Sequence, residues 1–152
     1  MRNVNQNEGQ PIHRLIAILD DAKKGYLNAA EKIKDEVLSL LFENFAYQKS
    51  RYSNELRLLV NRFNFSSSID QFTLSLLYRT WMDLKANFKL GKKENIIQAC
   101  IKGEETALEN YTVAINQIQN NYEVKVVLEQ QVNGIRTVLN TKKEYTGKTG
   151  CN

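Results

Sequence analysis

The stretch CIKGEETALENY, residues 100 to 111, reads as helix, yet its Glu104 falls where a core side chain is expected. At about 100° per residue, Ile97, Glu104, Leu108, Tyr111 and Ile115 share one narrow arc, while Glu105 and Glu109 point aside. An inward carboxylate can ligate a metal, as in helical bundles that hold paired iron ions, or it can pair with a buried cation. The chain offers little for the first. His13 is its only histidine, so neither two E-x-x-H ligand pairs nor a histidine-based zinc site can be assembled. There is no C-x-x-C, and a nucleophilic Cys100 would need a base, whereas His13 lies near the N-terminal end. Cys100 is therefore expected to be a buried structural thiol. The segment GKTG at 147–150 would need glycine at position 142 and a preceding strand to be a phosphate-binding loop; position 142 is Lys142.

Lys49 supplies the second chemistry. It sits in the stripe formed by Phe42, Phe45, Tyr52 and Leu56. A lone buried charge costs several kcal/mol, so an inward lysine needs a partner. Glu104 is the candidate, with Gln131 and the Tyr52 hydroxyl as further hydrogen-bonding groups. The expected buried polar cluster is thus Lys49, Tyr52, Glu104 and Gln131. Two other readings stand beside it. Lys49 snorkels to solvent with Glu104 at the stripe's edge, or Glu104 belongs to a residual metal site.

These residues must be positioned by helices. One proline and seven glycines in 152 residues leave long helices uninterrupted. Residues 1–10 are polar and are expected to be disordered, with Pro11 in a first helical turn. Leu15, Leu19, Ala22, Tyr26, Ala29 and Ile33 recur at helical spacing. Asp35 caps a second helix that carries Leu38, Phe42, Phe45, Tyr52, Leu56, Leu59 and Phe63. NFSSSID breaks the pattern, with Ser68 or Asp70 as the next cap, and a shorter helix shows Leu77, Trp81, Leu84 and Phe88 on one face before Gly91. A fourth helix runs to about Gln119, Asn120 and Asn121 turn the chain, and a last helix shows Val124, Leu128, Ile135 and Val138. The expected spans are 11–33, 36–63, 70–89, 92–119 and 122–144. Tight joins within the first and last pairs, and about thirty residues between the pairs, predict an all-α fold. It is a ferritin-like four-helix bundle over 11–146, with one long crossover containing a short extra helix and a disordered tail at 147–152.

The stretches GYLNAAE (25–31), QKSRYSNEL (48–56), RTWMDLKA (79–86) and GEETALENY (103–111) resemble an uncharacterised family of bacterial ferritin-like four-helix proteins, a domain-of-unknown-function family. The resemblance spans roughly Leu15 to Ile118. It implies a ferritin-like bundle and brings no activity with it. In ferritins a metal-binding glutamate commonly lies seven residues before a core tyrosine, and Glu104 precedes Tyr111 by that spacing. The other helices do not follow the pattern. Leu19 lies seven before Tyr26, the E-x-x-H positions of the second helix fall on Lys49 and Tyr52, and Gln131 takes the inward place in the last helix. One inward carboxylate cannot hold a di-metal centre, so no ferroxidase role, metal or cofactor is expected.

With 42% hydrophobic and 25% charged residues the chain reads as globular. A net charge of +4 is a mild bias that does not by itself indicate nucleic-acid binding. Arg79, Lys85, Lys89, Lys92 and Lys93 beside Trp81 and Phe88 could form a basic–aromatic surface, but core spacing of the aromatics makes solvated lysines the simpler reading. The N-terminus lacks an apolar h-region, no run approaches a membrane span, and two unpaired cysteines suit a reducing compartment. A cytoplasmic protein is expected. The function expected is a non-enzymatic bundle, stress-related or an interaction protein, working as a homo-oligomer such as a dimer and with no small-molecule substrate. Its rivals are a degenerate or intersubunit metal-binding protein and a weak anion-binding module for nucleic acid or lipid headgroups.

Overall fold

The structure is a computed structural model. It describes the backbone of residues 4–65, 70–118 and 120–150, and the side chains of these except residues 4–8, 81, 90 and 146–150. All regular structure in this part is helical: α1 Val4–Lys32, α2 Glu36–Phe63, α3 Gln71–Leu90, α4 Lys93–Gln117 and α5 Tyr122–Gly150. No helix among the described residues is long and apolar enough to cross a membrane.

Local chemistry sets the boundaries. Asp35 caps α2 by accepting a hydrogen bond from the Leu38 backbone N–H at 3.1 Å. Asn64 ends α2 in the left-handed conformation, φ 54°. Asp70, rather than Ser68, which lies outside the described residues, caps α3 through the Thr73 N–H at 2.8 Å. Gly91 closes α3 at φ 68°, where a side chain would be strained. The Asn121 side chain accepts from the Val124 N–H at 3.1 Å and starts α5.

The ends of α1 and α5 depart from expectation. α1 runs through Pro11 and begins at Val4, not at residue 11. Just before the proline, Gly9 is buried and Gln10 half-buried. α5 runs to Gly150, through most of the segment expected to be a disordered tail. The stripe read from the sequence ends at Val138, and the buried Lys142 carries the packed face one turn further.

Two groups of core residues show how the helices run. One gathers Ile12, Leu15 and Leu19 with Leu56 and Leu59, Tyr111 and Ile118, and Val124 and Leu128. The other gathers Tyr26 and Ile33 with Leu38 and Phe42, Ile96 and Ile97, and Val138 and Leu139. The start of α1 therefore meets the ends of α2 and α4, and α2 and α4 run parallel. α2 ends at the first group and α4 begins at the second, so the connection must travel the length of the molecule. The twenty residues of α3 do this, at about 1.5 Å per residue. α3 lies over α1 and α4. Arg14 holds its start, with one guanidinium nitrogen 2.7 Å from Asp70 Oδ2 and Nε donating to Thr73 Oγ1 at 3.0 Å. Leu84 is buried near its end, and Phe88 packs on the second core group. The expectation for the Trp81 side chain falls outside the described residues.

Candidate functional site: a glutamate clamped by two lysines

Four helices each send one polar side chain into the second core group. Tyr26 comes from α1, Lys49 from α2, Glu104 from α4 and Lys142 from α5, and none is more than 4% exposed. The Lys49 ammonium lies 3.0 Å from Glu104 Oε2, and the Lys142 ammonium lies 3.3 Å from the same oxygen. The Tyr26 hydroxyl also donates to Oε2 and accepts from Lys142. Each ammonium also donates outside the carboxylate: Lys49 to Gln48 Oε1 at 2.7 Å, and Lys142 to the Cys100 carbonyl at 3.0 Å. Both cations face aromatic rings, Lys142 at 4.7 Å and Lys49 at 5.5 Å from the Tyr26 centroid.

The arrangement is lopsided in two ways. All three partners crowd onto Oε2, while Oε1 of Glu104 is buried with no hydrogen-bond partner among the described residues. There are also two ammonium groups for one carboxylate. Burial alone would raise the Glu104 pKa, yet Lys142 and Lys49 together hold it below the usual value. Burial also lowers the Lys142 pKa, against the pull of Glu104. Burial first, and then the Glu104 charge, push the Tyr26 hydroxyl well above its ordinary pKa. The adjacent Cys100 thiol is raised to about 11, chiefly by burial, so it is held as the protonated form rather than the nucleophilic thiolate.

Of the four residues singled out from the sequence, the structure brings Lys49 and Glu104 together and leaves the other two elsewhere. Lys49 is fully buried, so it does not snorkel. Gln131 is buried in a separate polar node. It accepts from the Tyr111 hydroxyl at 2.5 Å, and its amide donates to the Tyr52 carbonyl at 3.2 Å and to Glu55 at 2.9 Å. The Tyr52 hydroxyl lies against Gly134 and Gln48 and not against the carboxylate. Sequence reasoning missed Tyr26 and Lys142. Their signal was present, since Leu128, Ile135 and Lys142 recur every seven residues on one arc, as do Leu19 and Tyr26.

No group of three or more His, Cys, Asp or Glu side chains converges among the described residues. Arg79, Lys85, Lys89, Lys92 and Lys93 are all exposed. They do not make a uniform basic surface, because Lys93 lies 3.4 Å from Asp35, and Asp83 stands on the same helix as Arg79 and Lys85.

The family pattern of DUF2383, a domain of unknown function, matches residues 8–117. The chain belongs to the DUF2383 family. The match takes in α1 to α4 and stops before α5, so in this DUF2383 protein Tyr26, Lys49 and Glu104 lie within the family's stretch and Lys142 lies beyond it. The chain matches no curated protein and no solved structure.

Proposed function

We propose that this protein is a non-enzymatic, ferritin-like bundle in which lysine ammonium groups occupy the place of a metal centre, and that it acts in the cytoplasm as an interaction protein through its surface. The observation that carries the reading is the clamp itself: Lys49 and Lys142 both meet the carboxylate oxygen that a metal ion would take. An ammonium within 3.3 Å of a ligand oxygen competes for the same space and supplies the same charge complementarity. The parallel α2 and α4 joined by a full-length crossover support the ferritin-like part. An exposed stripe of Leu40, Tyr47 and Leu58 on α2 supports association, including with a second copy.

Elemental analysis of protein purified from iron- and manganese-supplemented cells tests the reading. The expected metal content is far below one ion per chain, and added Fe²⁺ or Mn²⁺ should leave the melting temperature unchanged. Stoichiometric metal that disappears in Glu104→Ala would sink it and restore the metal-binding alternative.

A further inference from the structure

One face of α2 is left uncovered by its own bundle. Leu40, Tyr47 and Leu58 are 63%, 72% and 69% exposed, and they stand within about 20° of one another around the helix axis. Exposed polar residues complete the face, with Glu36 and Arg62 at its ends and Asn44, Arg51 and Asn54 between the apolar groups. The eight positions share an arc of about 80°, and their spacing along the chain is 4, 4, 3, 4, 3, 4 and 4 residues. That series reads the same in both directions. An antiparallel second copy, related by a two-fold axis midway between Tyr47 and Arg51, therefore sets Leu40 level with Leu58, Asn44 with Asn54, Tyr47 with Arg51 and Glu36 with Arg62. We propose that this protein forms a two-fold symmetric dimer through α2 in this register. The inference deepens the association proposed above and rests on that part of the reading, not on the clamp.

Each level then holds a matched pair. Leucine meets leucine, and the two asparagine amides donate and accept in turn. Tyr47 offers its ring to an arginine, a cation–π pair of two residue types enriched in interfaces. Glu36 meets the opposite charge of Arg62, whose guanidinium has donors to spare beyond its 2.8 Å contact with Glu123 of its own chain. A hollow at the α1–α2 turn is lined by Ile33 and Leu40 and by Asp35 and Glu36, with Lys34 and Ser39 beside them. It lies at the level where Leu58 and Arg62 of the second copy arrive, an apolar and a basic side chain for an apolar and acidic lining. Charge also selects the direction. The exposed charges in the first half of α2 are Glu36 and Glu43, and those in its second half are Arg51, Arg57 and Arg62. An antiparallel pair brings acidic half to basic half, whereas a parallel pair sets Arg51 against Arg51 and Glu36 against Glu36. α3 also exposes Leu74, Tyr78 and Met82. Its arc continues through Lys85 and Lys89 without a carboxylate, so a reversed copy would set lysines against apolar groups there.

Eight contact positions a side fall short of the roughly 20–30 residues of a standard interface, so the dimer should be weak, with a Kd on the order of micromolar. Sedimentation equilibrium of the full-length protein between about 1 μM and 1 mM is the test, and a reversible monomer–dimer equilibrium is the expected result. Leu40→Asp should weaken it at least about tenfold at an unchanged far-ultraviolet circular dichroism spectrum, and Leu58→Asp serves if that variant does not fold. Exchanging charges reads the register. Glu36→Arg and Arg62→Glu should each dimerise poorly alone, and their equimolar mixture about tenfold more tightly than either, because only the mixed pair has opposite charges at both ends. Monomer throughout the concentration range would overturn the dimer, while the metal-free reading of the clamp still stands or falls with the elemental analysis. A dimer indifferent to both leucine variants would rule out the α2 face. A mixture no tighter than its two components would rule out the antiparallel register.

Discussion

Removing the clamped carboxylate should be far more damaging than removing one of its lysines. At the separations of 3.0 and 3.3 Å, and an effective dielectric near 20, each ammonium–carboxylate contact is worth about 5 kcal/mol gross. Desolvation of several kcal/mol per ion offsets most of this, so the intact cluster contributes little net stability. The imbalance appears when one member is deleted. Glu104→Leu strands two buried ammonium groups and should cost about 3–5 kcal/mol or more. In a chain of this length that lowers the melting temperature by roughly 10 °C. Lys142→Met leaves one cation for one anion and removes a lysine–lysine repulsion, so it should cost less than about 2 kcal/mol. Urea unfolding of wild type, Glu104→Leu, Lys142→Met and the triple variant Lys49→Met/Glu104→Leu/Lys142→Met, with a common slope, gives the comparison. The triple variant should recover most of the loss of Glu104→Leu. If Lys142→Met costs as much as Glu104→Leu, or if the triple variant is no better than the single, the charge argument is wrong.

Other expectations follow from the same geometry. Burial lowers the folded pKa of Lys142, so the unfolded chain holds more protons below the ordinary value of 10.5, and this residue adds stability as pH rises through that window. The melting temperature of wild type relative to Lys142→Met should therefore climb as pH rises towards 10.5; a flat difference would refute it. Asp70 has a depressed folded pKa, set first by its hydrogen bonds to Thr73 and then by Arg14, so its contribution is present above the ordinary carboxylate value and fades as pH falls. Asp70→Asn should flatten the acid side of the stability profile without changing its alkaline side. With a buried thiol raised to about 11, Cys100 should resist iodoacetamide at pH 8 and label only in urea, which peptide mass spectrometry would read directly. A Cβ at Gly134 would sit 1.9 Å from the Tyr52 hydroxyl oxygen, so Gly134→Ala should lower the melting temperature, and adding Tyr52→Phe should relieve part of that loss.

Much of the fold was legible because helix signals are local. Asp35, Asp70, Gly91 and the Asn120–Asn121 pair fixed boundaries to within a residue or two, and the phase of Glu104 and Lys49 put both inside. Phase gives the face of a helix but not the height at which it meets its neighbours. Gln131 shares the inward face with Lys142, three turns apart, and meets Tyr111 and Glu55 rather than Glu104. Lys142 lies beyond the stripe that ends at Val138, and only the tertiary fold shows that its ammonium has acceptors in the core. Pro11 gave the opposite error. It is a common first-turn residue, but here it lies inside α1, which begins at Val4.

The clamp draws one residue from each of the four bundle helices, and this has a consequence for alignment. Sliding any of these helices by one turn, about 5.4 Å, would carry its member out of reach of the others. Leucine and isoleucine contacts tolerate such a slip, since one aliphatic side chain replaces another. An ammonium carried away from its carboxylate, and left buried without it, does not. The cluster thus penalises misaligned packings and leaves the aligned one nearly cost-free, acting as a registration mark where stability gains little. Its loss would be visible in the triple hydrophobic variant as doubled amide resonances in an ¹⁵N correlation spectrum, from chains that have regained most of the stability lost in Glu104→Leu but are no longer restricted to one alignment.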